Sequence, residues 1–327
     1  MKHVSILIPQ GDLNLISIVG AYKAFMGVNQ YLVNTGREPM FTVQFVGNMK
    51  RASLNDSLIS VSPNADTKQV TKTDLIIIPG ITANVRAPLA INDDLLPWIV
   101  KQHRKGAEVV SLCTGAFLLA STGLLDGKSC STHWMSANLF SKMFPNVNLV
   151  TEKIITDEHG IYTSGGAFSF INVLLYLIEK YCGREVAIYC SKVYEVDIDR
   201  NFQSPYMMFS GLKDHQDEEI KKAQLFIEKN VSEKISVETL ADKFAIGRRN
   251  FDRRFMKATS NSPVEYLQKV KIEAAKKKLE TSRETINEVM YGVGYNDHKA
   301  FRTVFKRLTG LSPLEYRKKY NKHEVSI

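Results

Sequence analysis

Residues 251–266 read FDRRFMKATSNSPVEY, and residues 301–316 read FRTVFKRLTGLSPLEY. At a constant offset of fifty residues the two stretches share two phenylalanines, a threonine, a Ser-Pro pair, a glutamate and a tyrosine. A fixed internal period of this kind is typical of a duplicated supersecondary unit. The carboxyl-terminal third of the chain is therefore predicted to contain the same small helical unit twice.

Each copy has the pattern of two short helices around a tight turn. In the first copy, 236–257, Ser236 is predicted to cap a helix over 237–244, which ends before Gly247. A second helix over 248–257 has its two phenylalanines four residues apart, on one buried face. This is the layout of a helix-turn-helix, a motif whose second helix lies in the major groove of DNA.

The second copy, 285–308, repeats the pattern with a first helix over 285–291 and a groove helix over 297–308. Between the copies, Pro263 begins a linker helix over 263–280, because proline fits the first turn of a helix. The lysines expected on the solvent-exposed side of this linker helix are Lys269, Lys271, Lys276, Lys277 and Lys278.

Positive charge is concentrated in the same third of the chain. Residues 220–327 hold 24 Lys and Arg against 13 Asp and Glu, whereas residues 1–219 hold 19 against 21. Clustered basic groups on a compact helical unit indicate phosphate binding, so double-stranded DNA is the expected partner. For any single lysine, simple solvation of a helix surface stays an open alternative. The residues expected to contact DNA are Arg248, Arg249, Asn250, Asp252 and Arg253 in the first copy and His298, Lys299, Arg302, Thr303 and Lys306 in the second.

Residues 220–320 resemble the DNA-binding domain of the AraC family of transcriptional regulators. The resemblance is carried by the run GVGYND over 292–297, followed by Phe301, Phe305 and the Ser-Pro pair at 312–313. The family implies two helix-turn-helices in one subunit, which read successive segments of the major groove. Position 303 is often arginine in this family. Thr303 weakens the expected guanine readout here, because a bidentate arginine is the usual guanine contact.

The amino-terminal two thirds of the chain has a different pattern. Predicted strands over 4–8, 41–46, 75–78 and 109–112 alternate with predicted helices over 95–105, 116–122, 135–144 and 167–181. Alternating strands and helices indicate an α/β domain with a mostly parallel sheet that is covered on both faces. The expected organisation is this domain over 1–196, a linker over 197–216 and an all-α domain over 217–322, which begins with an amphipathic helix over 217–230.

Several kinds of protein are disfavoured by the composition. No apolar run reaches the length of a membrane span, and the first residues, MKHVSILI, read as a strand rather than a targeting segment. The four cysteines have no CxxC spacing and no nearby pair of histidines, so neither a disulfide framework nor a metal site is expected. We therefore expect a cytoplasmic protein with no metal, cofactor or membrane partner.

The end of the fourth predicted strand is a candidate ligand site. The strand over 109–112 runs directly into the helix over 116–122, with Cys113 at the corner and Gly115 permitting close packing. Such a turn lifts its central side chain above the sheet and sets it over a helix N-terminus, which favours the thiolate. A cysteine before a helix is also commonly inert and buried, and that alternative stays open.

Residues 1–192 are similar to the flavodoxin-like ThiJ/PfpI branch of the class I glutamine-amidotransferase-like superfamily. The motifs that carry this resemblance are IPG over 78–80, CTGAF over 113–117, GLLDG over 123–127, STHW over 131–134 and YTSGG over 162–166. The family implies a nucleophilic or redox-reactive cysteine with His133 close to it. It also implies a pocket lined by the backbone N–H groups of Gly80, Ile81 and Thr114. Fused to an AraC-type tail, the domain resembles the GlxA-like group of regulators.

Two departures from the family pattern argue against catalysis. Ser17 stands where many relatives have a carboxylate that hydrogen-bonds the cysteine, and Thr114 follows Cys113 where protease-like members have histidine. We therefore expect a catalytically degraded domain that senses a small-molecule effector near Cys113 and mediates homodimerisation, with RNA polymerase as a further partner. Two alternatives stay open, each with a DNA-binding tail: a cysteine-dependent hydrolase, amidase or glyoxalase-like enzyme, and a thiol redox sensor.

Overall fold

A computed structural model describes residues 1–48, 52–54, 59–81 and 89–321. The chain divides after Gln203 into two compact units, called here the amino-terminal unit and the carboxyl-terminal unit. The division lies inside the segment 197–216 that the sequence predicts as a linker. Ile198 packs on the core of the amino-terminal unit, and Phe209 packs on a core of the carboxyl-terminal unit. The segment is therefore not a free tether, because its two parts are each packed on one unit.

The amino-terminal unit is built on a six-stranded sheet. The strands of this unit are β1 (Lys2–Leu7), β2 (Phe41–Val46), β3 (Ala52–Leu54), β4 (Ile59–Val61), β5 (Leu75–Ile78), β6 (Glu108–Ser111), β7 (Ser129–Cys130), β8 (Asn148–Leu149), β9 (Ile155–Asp157) and β10 (Ile161–Ser164). The main sheet has the order β2-β1-β5-β6-β10-β9, in which only the β10–β9 pair is antiparallel. The predicted mostly parallel α/β architecture is confirmed. Because both faces are covered, β5 is an uninterrupted apolar run and is fully buried.

Six α-helices of the amino-terminal unit have described bounds. They are α1 (Leu15–Asn34), α2 (Leu96–Arg104), α3 (Ala116–Ser121), α4 (Ala137–Met143), α5 (Phe170–Cys182) and α6 (Arg184–Val193). The sequence reasoning did not predict α1 or α6. The helical period of apolar residues in α1 is obscured. Apolar residues face the core, but Ile16 and Val19, which are also apolar, lie on the exposed side of the helix. Within the described residues, no helix has the length and apolar character needed to span a bilayer.

The carboxyl-terminal unit is helical. Its helices are α7 (Glu218–Lys229), α8 (Val237–Lys243), α9 (Arg248–Thr259), α10 (Pro263–Thr281), α11 (Ile286–Gly292), α12 (His298–Thr309) and α13 (Pro313–Tyr320). The first six agree with the predicted helices to within two residues at each end. The sequence reasoning missed α13, although Pro313 stands fifty residues after Pro263, which begins α10.

The repeated residues make the same contacts in both copies. Phe255 packs edge-on against Tyr266 with ring centroids 5.3 Å apart, and Phe305 packs against Tyr316 at 5.5 Å. In each copy the shared threonine hydroxyl donates to the carbonyl of the preceding phenylalanine, at 2.8 Å. The shared serine and glutamate form a capping box at the start of the next helix. The offset of fifty residues therefore encodes one packing unit that the chain uses twice.

Two lysines of α10 that were expected to be exposed are buried. The Lys271 ammonium donates to three backbone carbonyls at 2.9 Å, those of Val231, Glu233 and Val293. Lys276 is only 4% exposed. The helix α10 contributes residues to two separate hydrophobic cores, one for each copy. A helix that is covered on two faces leaves few positions for exposed lysines, so the prediction was wrong for these two.

Candidate ligand site and nucleic-acid interface

Cys113 occupies the corner between β6 and α3, at the carboxyl end of the sheet. Its backbone lies in the left-handed region at φ +56°, which non-glycine residues adopt only uncommonly. The Cys113 amide donates to Ser164 Oγ at 3.2 Å and so ties the corner to the end of β10. The predicted close packing at Gly115 is confirmed, because a Cβ there would lie 2.5 Å from the Pro79 carbonyl oxygen.

The Cys113 side chain is almost completely buried, with 5% of its surface exposed. Burial raises the pKa of the thiol, because the thiolate loses its water shell. The backbone N–H groups of Ala167 and Thr114 and the Thr114 hydroxyl act in the opposite sense but do not reverse the shift. The expectation that the helix N-terminus would favour the thiolate is wrong in its net effect, and the thiol is protonated near neutral pH.

Ser17 is fully buried in α1, beside the end of β5. Its hydroxyl donates to the Asn14 carbonyl at 2.7 Å and accepts from the Gly80 N–H at 3.2 Å. The Gly80 N–H, which the resemblance implies is part of the pocket lining, is therefore already hydrogen-bonded to Ser17. Ser17 holds the segment after β5 in place and has no carboxylate with which to accept a proton.

His133 does not have the geometry of a base for Cys113. Its Nδ1 accepts from the Met135 N–H at 3.1 Å, so in the neutral ring the proton belongs on Nε2. Burial lowers the pKa of His133, which keeps the ring neutral near pH 7. The ring packs against Gly166, where a Cβ would lie 2.8 Å from His133 Cδ2. Among the described residues, no hydrogen bond joins His133 to Cys113.

The remaining predicted site residues lie at the same end of the sheet. Thr114 Oγ1 donates to the Ile81 carbonyl, which joins the cysteine corner to the segment that follows β5. The next residues, 82–88, lie outside the described part of the chain. Within the described residues, no group of three or more His, Cys, Asp and Glu side chains is arranged to hold a metal ion.

Sequence reasoning missed three residues that complete this site: Ser164, Ala167 and Gln203. The first two belong to or follow the YTSGG motif, whose glycine pair was a signal for a close backbone approach. Gln203 lies thirty-six residues after Ala167 in the sequence, and nothing in its local pattern marked it. Its side chain nevertheless bonds to the Gly166 N–H at 2.9 Å.

In the first helix-turn-helix, α9 presents Arg249, Asn250 and Arg253 to solvent. Asn250 Oδ1 accepts from the Arg253 guanidinium at 2.8 Å, so these two side chains are held together. Phe251 and Phe255 are fully buried on the opposite face and fix the rotation of the helix.

Arg248 and Asp252, also predicted to contact DNA, are engaged with each other. The Arg248 guanidinium lies 2.8 Å from a Glu238 carboxylate oxygen and 3.3 Å from one of Asp252. Either residue must give up an ion pair, which is solvent-exposed and therefore weak, before it can bind a base or a phosphate. Arg249 and Arg253 have no acidic partner among the described residues.

In the second helix-turn-helix, α12 begins at its cap Asp297, whose carboxylate accepts from the Ala300 N–H at 2.8 Å. Phe301 and Phe305 are buried and orient the helix. The five residues predicted to contact DNA are all exposed on α12: His298, Lys299, Arg302, Thr303 and Lys306.

Comparison with protein families gives two matches along the chain. Residues 30–180 match the DJ-1/PfpI family, and residues 240–319 match a helix-turn-helix domain. Across both regions, the chain is 27% identical over 312 residues to the HTH-type transcriptional regulator GbdR of Pseudomonas aeruginosa. This alignment covers 94% of the chain and 82% of GbdR. The chain is an AraC-type regulator with an amino-terminal DJ-1/PfpI domain.

The regulator is similar to further proteins in each of its parts. It is 24% identical over 222 residues to the HTH-type transcriptional regulator GlxA of Rhizobium meliloti, covering 66% of this chain and 67% of GlxA. It is 28% identical over 131 residues to an isonitrile hydratase of Pseudomonas putida, covering 39% of this chain and 54% of that enzyme. A crystal structure from Vibrio parahaemolyticus, described as a candidate transcriptional regulator, matches with a TM-score of 0.53 and 27% identity, covering 59% of this chain and 98% of the other.

Proposed function

We propose that the regulator recognises a specific sequence in double-stranded DNA with α9 and α12. The observation that carries the proposal is the duplicated helix-turn-helix, in which both second helices expose polar and basic side chains. Two such helices in one subunit can read two segments of the major groove. Arg249 and Arg253 are the base readers in α9, and His298, Lys299 and Thr303 are those in α12. Arg248, Asn250, Asp252, Arg302 and Lys306 support the same interface.

Selection from random duplex DNA tests this proposal. We expect a consensus with two separated blocks, one for each helix-turn-helix. Arg249→Ala should cost about 1–3 kcal/mol at one base position and relax selection there. Arg283→Ala is the matched control, because Arg283 is an exposed arginine of the same unit that lies outside α9 and α12. Phosphate-dependent binding with no recovered consensus would contradict the proposal.

We infer that the amino-terminal domain binds a small-molecule effector beside Cys113 without turning it over. Ser17, Gly80, Ile81, Thr114 and His133 surround the proposed site. Three observations support loss of catalysis: the thiol is protonated, the Ser17 hydroxyl is used to hold Gly80, and His133 Nδ1 already accepts a hydrogen bond. A nucleophilic cysteine needs an available base, and these side chains provide none.

Turnover assays separate this sensor from the enzyme alternative. Amides, 2-oxoaldehydes and isonitriles are incubated with the wild-type protein and with Cys113→Ala. We expect no turnover that depends on Cys113. A substrate consumed by the wild type and spared by Cys113→Ala would contradict the sensor interpretation. Redox sensing is disfavoured for the same reason, because a raised thiol pKa slows oxidation.

Assembly and location form the last part of the proposal. We propose a homodimer that acts in the cytoplasm and regulates RNA polymerase at the sites it binds. The dimer is supported by a stripe of exposed apolar residues along α1, which recur at helical spacing: Ile16, Val19, Met26 and Val33. A two-fold dimer is the commonest assembly of soluble proteins, and it would place two pairs of readers on one DNA site.

A further inference from the structure

Gln203 is the last residue of the amino-terminal unit, and its side chain is 98% buried within that unit. The carboxamide oxygen accepts from the Gly166 N–H at 2.9 Å. The carboxamide nitrogen donates to the carbonyls of Thr132 at 3.0 Å and Thr151 at 2.6 Å. An amide group has two donor hydrogens, and both are used here; its oxygen can accept two hydrogen bonds and accepts one from the described residues.

The Gly165–Gly166 loop fits tightly between this amide and His133. A Cβ at Gly165 would lie 2.8 Å from both Cδ and Nε2 of Gln203, and a Cβ at Gly166 would lie 2.8 Å from the His133 ring. A Cβ at either position would therefore force the neighbouring side chain to move. The loop also adjoins the cysteine corner, because Ser164, the residue before Gly165, accepts from the Cys113 N–H at 3.2 Å, and the Ala167 N–H favours the Cys113 thiolate.

The backbone around Gln203 is attached to the same loop by a second route. The Gln203 N–H donates to the Glu152 carbonyl at 2.8 Å, and the Ile154 N–H donates to the Asn201 carbonyl at 2.9 Å. The Ile154 carbonyl in turn accepts from the Gly165 N–H at 2.7 Å. Residues 201–203 therefore pair with residues 152–154 like an added strand. Ile154, on the neighbouring segment, contacts the Gly165–Gly166 loop directly.

We propose that Gln203 is a positioning residue that builds the Cys113 site and couples its occupancy to the DNA-binding unit. This inference rests on the proposed function. A ligand beside Cys113 meets the Ala167 N–H, and displacement of that group moves Gly166 away from the Gln203 amide. Gln203 must then follow the loop or lose several buried hydrogen bonds. Its covalent neighbour, Ser204, is the first residue of the carboxyl-terminal unit.

The proposed positioning role of Gln203 is tested by measuring the reactivity of Cys113 in the full-length protein. Iodoacetamide is the probe: the thiolate sulfur displaces iodide, and mass spectrometry follows the Cys113 peptide. In Gln203→Met the amide contacts are lost at similar side-chain length, and we expect the alkylation rate to rise by about fivefold or more because the loop opens more often. Gly165→Ala, which pushes on the amide from the other side, should act in the same direction.

Gln102→Met is the matched control. Gln102 is a buried glutamine of the same unit that donates to the Val70 carbonyl at 2.9 Å, far in sequence from the loop. Its loss lowers general stability but should leave the Cys113 rate unchanged. Equal rates in wild type, Gln203→Met and Gly165→Ala would overturn the positioning role. An equal rise in Gln102→Met would also overturn it, since the effect would then be global.

The proposed coupling between the Cys113 site and DNA binding is tested with alkylated protein. In this protein the carbamidomethyl group on Cys113 occupies the site. We expect alkylation to change the affinity of the wild type for its selected duplex by about fivefold or more, the usual range of allosteric coupling. In Gln203→Met the same modification should leave affinity unchanged. An unchanged affinity in the wild type would overturn the coupling. Absence of sequence-selective binding before alkylation would instead overturn the proposed function, while the alkylation rates still decide the positioning role.

Discussion

At the scale of single residues, Cys113 shows how burial decides the chemistry of a side chain. The strained backbone and the helix that follows match the pattern of a reactive corner. The desolvation of the thiolate is nevertheless the largest influence on the thiol pKa, and it exceeds the effect of the nearby N–H groups. A position that resembles a nucleophile in sequence is therefore a neutral thiol in the folded protein.

The alkylation of Cys113 should depend on pH in a way that reports this burial. Because its pKa is raised, the thiolate is rare near pH 7, and the rate should keep rising with pH beyond the ordinary cysteine pKa of about 8.5. The measurement is the initial rate of iodoacetamide labelling of the Cys113 peptide at a series of pH values. A short unfolded peptide with the same sequence is the control. A rate that levels off at or below the pH of that control would show that the thiol pKa is not raised.

At the scale of elements, α10 joins the two helix-turn-helices through a buried charge. Lys271 bonds to carbonyls in the segment before α8 and to the carbonyl of Val293 in the turn of the second copy. Burial lowers the pKa of this lysine, but the surrounding carbonyl oxygens accept hydrogen bonds from its ammonium group. A single side chain therefore sets the spacing between two motifs that have separate hydrophobic cores.

Replacement of Lys271 should damage both stability and DNA binding. Lys271→Met leaves one buried and two partly buried carbonyls without their donor, and we expect a loss of about 2–3 kcal/mol in the free energy of unfolding. Denaturant unfolding followed by circular dichroism measures this loss. Lys277→Met is the control, because Lys277 lies on the same helix and is exposed. A variant of Lys271 as stable as this control would show that the carbonyl contacts contribute little.

At the scale of the whole molecule, the two units differ in architecture, and the excess of basic over acidic residues lies almost entirely in the carboxyl-terminal unit. The amino-terminal α/β unit carries the apolar stripe on α1, and the carboxyl-terminal unit carries the excess of Lys and Arg. We propose that the first unit forms the dimer and that the second unit binds DNA. Because dimerisation and DNA binding are assigned to different units, dimerisation can be tested without the effector.

A charge on the α1 stripe should separate the two subunits. Val19→Glu places a carboxylate in the middle of the apolar stripe, and we expect sedimentation to give a mass near that of one 36.9 kDa chain instead of two. Leu225→Glu is the control, because Leu225 on α7 is an apolar side chain of equal exposure, 46% against 47% for Val19. If both variants sediment like the wild type, the stripe is not the interface.

Several features of the regulator could be predicted from the sequence because they depend on local patterns. The duplicated unit, its helix boundaries, the alternation of strand and helix and the Cys113 corner each follow from the spacing of apolar residues, caps and glycines over short distances. The α1 helix escaped prediction because its apolar residues are not confined to one face. The burial of Lys271 and Lys276 escaped because a second core covers α10.

The sequence by itself determined those elements whose apolar residues, caps and glycines follow a regular local pattern, since hydrogen bonds within a helix and the apolar period act over a few residues. Only the tertiary structure decided that the Gly80 N–H donates to the Ser17 hydroxyl, that burial raises the pKa of the Cys113 thiol and that the Gln203 amide accepts from the Gly166 N–H. These outcomes depend on desolvation and on partners distant in sequence. No local pattern contains that information, because it arises only when the packed chain excludes water and brings those groups together.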